Sequence, residues 1–267
     1  MQDRLTPARA AALAKKHGRA QIVIARHILE HAHDLPAFAA ALKELLVPGG
    51  LLVAEVPDFT IPLDQFDYST IWEEHTVFLT PFTLAESVRR LGFGVNRVLN
   101  YPYALENARV AVAQSPEKPE PSPADTAAIA AEVRKGAAFA AAFPRVRAMT
   151  RNYLAQYRDK TGRIAMFGAG HLSCKFMNLF GLRGIVDCVV DDHPSKKGLH
   201  LPGSHLPVIG SAALVERDIR LCLLTLRPES EEAVVQKNQA FTQRGGEFAT
   251  IFPVGPRALR LRFQERL

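Results

Sequence analysis

Two short segments dominated by aliphatic residues, 21–26 (QIVIAR) and 51–56 (LLVAEV), constrain the fold of this chain more than any other feature. Continuous runs of this kind are typical of strands that a parallel sheet buries on both faces. Residues 35–46, between them, have the periodicity of a helix, and PGG at 48–50 ends it. Because two parallel strands need a long crossover connection, the order strand, helix, strand predicts an α/β unit.

The remainder of the first block predicts a helix and an antiparallel pair of strands. Thr80 can cap a helix that Gly92 ends. Residues 94–103 and 108–114 then alternate between apolar and polar side chains, which is the pattern of half-buried strands. We therefore assign residues 1–114 to one domain whose sheet is closed by this antiparallel pair.

A second α/β block follows a linker and a long helical segment. Residues 115–126 contain four prolines and almost no apolar side chains, which is typical of a linker. Residues 127–160 favour a helical connector that we expect Pro144 to interrupt. Residues 161–267 then repeat the order strand, glycine turn, helix and strand ending in an acid, which opens a doubly wound nucleotide-binding sheet. The sequence therefore predicts an α/β fold twice.

Composition excludes several classes of protein. The formal net charge is +6, but no basic run is interleaved with aromatic residues, so we expect no nucleic-acid partner. The three cysteines form no CxxC pair, which favours a reducing compartment. No apolar run approaches the ~20 residues that cross a bilayer, so we expect no membrane partner. These features predict a cytoplasmic protein.

Several stretches resemble a known family. The sequence ARHILEHAHDLPAFAAALKELLVPGGLLVAEVPD, residues 25–58, is similar to the fourth strand, helix and fifth strand of class I S-adenosylmethionine-dependent methyltransferases. YSTIWEEHTVFLTP at 68–81 and VVDDHPSKKGLHLPGSHLPV at 189–208 resemble a narrower family, the sugar-nucleotide C-methyltransferases with a Rossmann-like C-terminal domain. The resemblance implies S-adenosylmethionine as cofactor, a nucleotide-sugar substrate, and C-methylation of a nucleotide-linked keto sugar.

The chain also departs from the family's pattern. Members begin with a cysteine-built zinc domain and then a glycine-rich turn that holds the cofactor, whereas Gly18 is the only glycine before Gly49 here. We therefore expect an incomplete class I methyltransferase sheet, an incomplete S-adenosylmethionine site and no metal, followed by the Rossmann-like doubly wound domain. A sheet without its first strands gains an open apolar edge, which predicts a homodimer or other self-association.

The sequence HILEH at 27–31 matches the H-x-x-E-H pattern of a class of zinc proteases, in which both histidines bind the metal. That chemistry needs a single helix face, whereas here the motif follows directly on a strand. A surface cluster without function is one alternative. The family resemblance gives the other, in which Glu30 and His31 lie at the carboxyl end of the strand and contact the cofactor.

The stretch YSTIWEEH at 68–75 holds the candidate catalytic residues. Removing a proton from a sugar carbon next to a ketone needs a base and a group that stabilises the enolate. His75 suits the base because imidazole titrates near working pH; Glu74 would orient its ring, and Tyr68 would donate to the oxyanion. Trp72, a substrate-binding candidate, replaces a tyrosine usual in the family and cannot transfer a proton. A solvated polar loop is the alternative interpretation.

In the second block, Gly168 and Gly170 form a partial glycine fingerprint, because Ser173 stands where a third glycine would complete it. Asp191 follows about twenty residues later, a spacing that suits ribose recognition. This pattern leaves open an NAD-dependent oxidoreductase built on residues 163–253. Within the family, the resemblance implies that both glycines let backbone amides approach the sugar nucleotide.

The loop after Asp191 supplies further candidates for substrate binding. Lys196 and Lys197 would meet a diphosphate. His205 is a loop residue that either contacts the ligand or supports the loop. A further alternative treats the chain as a module that binds a nucleotide-sugar without performing chemistry.

Overall fold

The computed structural model describes residues 4–103, 106–116 and 123–263 of the 267-residue chain. Of the linker predicted at 115–126, residues 117–122 lie outside the described part. The domain boundaries inferred from the sequence therefore stay predictions.

The described residues form two compact units, each with its own sheet and core. Unit 1 contains the residues up to Asp64 and those from Ile71 to Ala138. Unit 2 contains Gln65–Thr70 and the residues from Phe139 onward.

Unit 1 has its predicted helices and strands in the expected order, together with a short helix at Thr60–Gln65 that the sequence patterns did not predict. Thr80 caps the helix that follows it, where its hydroxyl accepts a hydrogen bond from the Thr83 amide at 3.2 Å. The elements are α1 (Pro7–His17), β1 (Ala20–Arg26), α2 (Leu35–Leu45), β2 (Leu46–Pro57), α3 (Thr60–Gln65), α4 (Pro81–Arg90), β3 (Gly94–Tyr101) and β4 (Ala108–Gln114).

The sheet of unit 1 has the strand order β1-β2-β4-β3. β1 and β2 are parallel, with Ile22 opposite Leu51 and Arg26 opposite Glu55. β4 is antiparallel to both β2 and β3. The parallel pair joined by a helix and the closing antiparallel pair are both confirmed.

β2 starts earlier than the sequence predicts, because it begins at Leu46 and runs through the PGG sequence. Gly49 has φ +77°, a left-handed conformation that glycine adopts without strain. A Cβ atom on Gly50 would lie 2.9 Å from the Val47 carbonyl oxygen and 3.1 Å from that of Gln21. The two glycines therefore let the backbone bend and stay close to β1.

One face of this sheet forms the core of unit 1 together with α2 and α4. Full burial of a leucine such as Leu84 contributes about 1.5–3 kcal/mol, while the small alanines of the sheet let the helices pack closely. The core includes Ala25, Leu42, Leu52, Ala54, Leu84, Val88, Ala111 and Ala113.

β1 is an edge strand of the described sheet, and its second face is open. The side chains of Ile22 and Ile24 are 55% and 64% exposed. They alternate with Val23 and Ala25, which belong to the core, as the two-residue period of a strand requires. The open apolar edge that the sequence predicts is therefore present among the described strands.

The helix α5 runs from Thr126 to Lys160 without interruption, so the break predicted at Pro144 is wrong. A proline inside a helix removes one backbone hydrogen bond, and here the ring of Pro144 is exposed to solvent. The remaining hydrogen bonds of this long helix hold it in one piece on both sides of the proline.

Unit 2 contains a doubly wound sheet with the order β7-β6-β5-β8-β9, and all of its described pairings are parallel. The chain enters at β5, adds β6 and β7 on one side, and returns to add β8 and β9 on the other. The order reverses at β5, and ligands of such sheets bind at the carboxyl ends of the strands on either side of a reversal. The predicted Rossmann-like arrangement is confirmed.

The elements of unit 2 after α5 have the following bounds: β5 (Arg163–Phe167), α6 (His171–Phe180), β6 (Cys188–Val190), β7 (Val208–Ile209), α7 (Ala213–Glu216), β8 (Ile219–Leu224), α8 (Pro228–Lys237), α9 (Gln239–Gln243) and β9 (Glu247–Thr250).

The central strands of unit 2 are buried on both faces. Ile164 and Met166 in β5, and Leu221 and Leu223 in β8, have no exposed surface. Among the helices that the structure describes, none combines the length and the apolar character needed to cross a membrane.

Candidate active site

The chain turns sharply where β1 ends, at the carboxyl edge of the sheet in unit 1. His27 adopts a left-handed conformation with φ +48°, and its amide still donates to the Glu55 carbonyl at 2.9 Å. A single 3-10 turn, Leu29–His31, follows. The HILEH motif is therefore not on an α-helix, which removes the geometry that the zinc-protease interpretation requires.

Glu30 is the most unusual residue of this turn, because its side chain is buried and carries no compensating hydrogen bond. The residue is 2% exposed, and neither carboxylate oxygen has a hydrogen-bond partner among the described residues. His27 Nδ1 lies 3.5 Å from Glu30 Oε1, which is an ion-pair distance. A buried carboxylate in this state is poised to accept a hydrogen bond from a ligand, since leaving it unsatisfied is costly.

The backbone of Glu30 brings the YSTIWEEH segment to this edge. Its carbonyl oxygen accepts hydrogen bonds from the Thr76 amide at 2.7 Å and from the Thr76 hydroxyl at 3.1 Å. The neighbouring ring of His31 then meets that of His75 edge to face, with centroids 4.7 Å apart. Two stretches far apart in sequence thus meet within unit 1.

His31 makes one hydrogen bond to the segment that bears His75. Its Nδ1 lies 3.1 Å from the backbone carbonyl oxygen of Glu74. Because a carbonyl oxygen only accepts, Nδ1 must be the donor, which leaves Nε2 of the neutral ring with a lone pair. The ring of His75 is also bordered by Trp72 and Phe78, at centroid distances of 6.5 and 5.7 Å.

The donor atoms of Glu30, His31 and His75 all lie within 4.8 Å of one another. A carboxylate and two imidazoles can hold a divalent cation as well as move a proton. The carboxyl end of β1 is therefore the place in unit 1 where acid–base chemistry is most concentrated.

In unit 2, the glycine turn at the carboxyl end of β5 is closed by Ser173. The Ser173 hydroxyl donates to the Gly168 carbonyl at 2.5 Å, and Ser173 Oγ accepts from the Gly170 amide at 3.2 Å. Gly168 has φ +102°, and a Cβ atom there would lie 2.6 Å from Leu226. A Cβ atom on Gly170 would meet nothing within 4 Å, so this glycine faces open space.

Asp191 ties the loop after β6 to this turn. Its carboxylate accepts hydrogen bonds from the Ala169 amide at 2.8 Å, the His193 amide at 2.9 Å and Lys196 Nζ at 3.0 Å. Burial alone would raise the pKa of Asp191, but these three donors outweigh it and lower the pKa. Asp191 and Lys196 therefore hold each other beside the glycine turn.

Comparison with known proteins identifies the family. The model of the C-methyltransferase C-terminal domain matches residues 109–253, which is more than half of the chain. The chain belongs to the C-methyltransferase family. A second model, a methyltransferase domain, matches residues 2–98.

Individual relatives are more distant. The C-methyltransferase NovU of Streptomyces niveus is 26% identical over 253 residues, which cover 90% of this chain and 59% of NovU. This chain thus spans about 59% of the length of that curated relative. Among solved structures, the match with the CurJ carbon methyltransferase covers 37% of this chain and 30% of the CurJ chain. The two are 22% identical in sequence over the match, and the TM-score is 0.29. The match with the structure of an O-methyltransferase family protein from Burkholderia thailandensis covers 44% of this chain and 36% of that protein's chain, with 19% identity and a TM-score of 0.31.

Membership of the methyltransferase family implies S-adenosylmethionine as methyl donor, and Glu30 is the described residue that best fits such a group. Its buried carboxylate, without a hydrogen bond from the described residues, suits a hydroxyl or ammonium donor. His31 lies beside it, with its Nδ1 3.1 Å from the Glu74 carbonyl oxygen. The end of β1 therefore offers hydrogen-bond acceptors of the kind that such a group needs, and the cofactor contacts of Glu30 and His31 stay predictions.

The predicted catalytic residues have contacts of their own. Tyr68 belongs to unit 2 and is 3% exposed, and its hydroxyl donates to the Phe139 carbonyl at 2.6 Å. Burial raises the pKa of Tyr68. Glu74 contacts His31 through its backbone carbonyl. The roles predicted for Tyr68, Glu74 and His75 stay predictions.

The remaining substrate-binding candidates lie on loops. Trp72 borders His75 in unit 1, and His205 is exposed in unit 2 with φ +58°, where its amide donates to the Leu201 carbonyl at 2.9 Å. Both positions are compatible with ligand contact, and both assignments remain predictions.

Sequence reasoning missed a polar cluster one residue beyond Asp191. Asp192 accepts hydrogen bonds from the Ser211 amide at 2.9 Å, the Ser211 hydroxyl at 2.8 Å and Lys237 Nζ at 2.8 Å. Burial alone would raise the pKa of Asp192. The hydrogen bonds from Lys237 and Ser211 outweigh this effect and lower the pKa to about 2. The sequence feature that could have indicated this cluster is the second aspartate of VVDD at 189–192.

Proposed function

We propose that this chain carries the substrate-proton chemistry of an S-adenosylmethionine-dependent C-methyltransferase that acts on a nucleotide-linked keto sugar. The observation that carries the proposal is the contact of His31 with His75, beside the buried carboxylate of Glu30, at the carboxyl edge of the sheet. Open α/β sheets bind their ligands at this edge, and the family supplies the reaction type.

His75 acts as the general base in this proposal. Its imidazole removes the proton from the sugar carbon next to the ketone, and the electron pair of the broken C–H bond moves into the enolate. The rings of His31, Trp72 and Phe78 surround His75 and limit the orientations that its imidazole can take.

Glu30 and His31 hold the methyl donor in this proposal. When bound, S-adenosylmethionine supplies an electrophilic methyl group for the nucleophilic sugar carbon. The Glu30 carboxylate accepts a hydrogen bond from a hydroxyl or ammonium group, while the Nδ1 hydrogen bond to Glu74 fixes the ring of His31.

The nucleotide part of the substrate is assigned to the carboxyl edge of unit 2. Gly170 faces open space at the start of α6, so no side chain there keeps a phosphate from the N-terminus of the helix. Lys196 supplies a positive charge beside it, and His205 and Asp191 shape the neighbouring loops. An NAD-dependent oxidoreductase is less well supported, because the carboxylate of Asp191 already accepts three hydrogen bonds from the protein.

Self-association through β1 is a further part of the proposal. An edge strand with exposed Ile22 and Ile24 can pair with β1 of a second copy. Such pairing would satisfy the open backbone groups and bury apolar surface at once.

Proton exchange tests this function without requiring a complete cofactor site. The chain is incubated in deuterium oxide with a thymidine-diphosphate-linked 4-keto sugar, and NMR follows deuterium entering the carbon next to the ketone. We expect exchange well above the rate without protein, and a loss of roughly 100-fold or more in His75→Ala. His33→Ala, a change of an exposed histidine outside the cluster, is the matched control. Equal exchange in the His75 variant and the control would remove His75 from this role.

A further inference from the structure

Unit 2 contains a half-open cavity of about 430 Å³ that neither the family match nor the sequence motifs assign. Its walls come from residues 65–69, the middle of α5, the end of α6 and residues 251–263. The volume lies within the range of about 300–1,000 Å³ that small-molecule sites occupy.

The walls of the cavity are rich in aromatic rings. Phe66, Tyr68, Phe176, Phe180 and Phe263 all line it. The rings of Phe176 and Phe180 stack with centroids 4.4 Å apart and 29° between their planes, which makes part of the wall an apolar aromatic surface. Such surfaces favour a planar ring, because offset stacking and edge contacts stabilise aromatic pairs beyond simple burial.

Phe66 marks the mouth of the cavity. The residue is 41% exposed, and its backbone has φ +52°. A bulky side chain seldom adopts this left-handed conformation, and such strain is found where a fold holds a residue for a ligand. Its ring lies nearly parallel to that of Phe139, with an angle of 14° between the planes.

The polar groups of the cavity carry a surplus of positive charge. Arg145 makes no hydrogen bond or ion pair with any residue that the structure describes. Arg260 donates from one terminal nitrogen to the Gln65 carbonyl at 2.9 Å, while its buried Nε has no hydrogen-bond partner in the described ranges. The acid of the cavity, Asp67, is buried and accepts hydrogen bonds from the amide and hydroxyl of Ser69.

We infer that this cavity binds a planar aromatic ring that carries an anionic group. The ring stacks among the phenylalanine side chains, and the anion meets the guanidinium groups of Arg145 and Arg260, which stack on rings and pair with carboxylates or phosphates. Two sources supply this chemistry: the nucleotide part of the proposed substrate, and a separate aromatic acid that regulates the protein. The inference stands whether or not His75 abstracts a proton.

Calorimetry with two aromatic probes and one non-aromatic control tests the site and distinguishes the two possible sources of its ligand. Thymidine diphosphate represents the nucleotide, 1-naphthoate represents the aromatic acid, and cyclohexanecarboxylate is the non-aromatic anion. We expect at least one aromatic probe to bind, and to bind more tightly than cyclohexanecarboxylate. Binding of the nucleotide alone assigns the site to the substrate, and binding of 1-naphthoate that the nucleotide does not displace assigns it to a regulator.

Three variants locate the binding. Arg145→Gln removes the charge at the mouth, and Phe66→Gly removes the ring while fitting the left-handed backbone, so both should fold. Each should weaken binding of the aromatic probe by roughly tenfold. Arg147→Gln, on the same helix but outside the cavity lining, should leave it unchanged. The inference is overturned if neither aromatic probe binds, or if both cavity variants bind as tightly as the Arg147 variant.

Discussion

The imidazole rings of His31 and His75 lie perpendicular to each other, at an interplanar angle of 84°. One ring comes from the turn after the first strand and the other from the YSTIWEEH segment. Hydrogen bonds from the amide and the hydroxyl of Thr76 to the Glu30 carbonyl oxygen join the two. The relationship places two proton carriers and a buried acid at the sheet edge where ligands of this fold class bind.

The hydrogen bond of His31 to the Glu74 carbonyl predicts a graded response to substitution. His31→Ala removes both the Nδ1 donor and the Nε2 acceptor, so we expect proton exchange at the substrate carbon to fall by roughly tenfold or more. In His31→Asn the side-chain amide can replace the Nδ1 donor, so the segment that bears His75 keeps its position and part of the rate returns. The NMR exchange assay measures both, and equal rates in the two variants would contradict the orienting role.

The buried carboxylate of Glu30 predicts opposite effects on stability and on cofactor use. Glu30→Gln keeps the shape but removes a charge that no hydrogen bond from the described residues compensates, so the free energy of unfolding should rise by about 1 kcal/mol. The same change should weaken binding of S-adenosylmethionine roughly tenfold in calorimetry and leave proton exchange unchanged. Glu44→Gln, at an exposed ion pair, should alter neither quantity appreciably. A Glu30→Gln protein that is less stable than the parent would contradict the conclusion that the buried carboxylate lacks a compensating hydrogen bond.

Much of this fold could be predicted because burial fixes it locally. The runs at 21–26 and 51–56 become the parallel pair, and the alternating segment at 108–114 becomes β4, since each pattern states which faces are buried. The continuous α5 could not be predicted, because the cost of Pro144 is offset by the other hydrogen bonds of a long helix.

The candidate site, like the fold, could be predicted from the sequence only in part. Glu30 and His75 could be picked out by residue type, but their meeting depends on hydrogen bonds between distant backbone groups, which no local pattern encodes. The cavity of unit 2 was not predicted either, because its walls come from separate segments.

The glycine turn of unit 2 depends on Ser173, which stands where the fingerprint would have a third glycine. Its side chain is fully buried and closes the turn through Gly168 and Gly170, so Ser173→Ala should destabilise the protein by about 1–3 kcal/mol. Ser173→Gly completes the glycine pattern but loses the same hydrogen bonds, and it should be at least as destabilising. Urea unfolding measures both changes. Ser230→Ala, on the exposed face of α8, should stay within about 0.5 kcal/mol of the parent.

The cluster of Asp192 with Ser211 and Lys237 predicts a pH-dependent stability. The folded-state pKa of about 2 lies below the unfolded value, so the ionised carboxylate stabilises the fold above about pH 4. This contribution is lost as the pH falls toward 2, where Asp192 takes up a proton. Asp192→Asn should therefore lower the free energy of unfolding by about 1–2 kcal/mol at pH 7, and by much less near pH 2. Asp218→Asn, at an exposed pair, is the control; a difference that persists at low pH would contradict the assignment.

The open edge of β1 predicts self-association that a single charge can prevent. Ile24 is 64% exposed on the strand at the edge of the described sheet, where a second copy could pair its backbone and cover the side chain. A lysine at this position would place a positive charge in the interface, beside Arg26, whose guanidinium already pairs with Glu55 at 2.5 Å. Sedimentation velocity over a range of concentrations should show dimers or larger species for the parent and a monomer for Ile24→Lys. Val133→Lys changes an equally exposed apolar residue on α5, away from any strand, and should associate as the parent does. A parent chain that stays monomeric at high concentration, or a Val133 variant that dissociates as fully as the Ile24 variant, would show that β1 is not the contact.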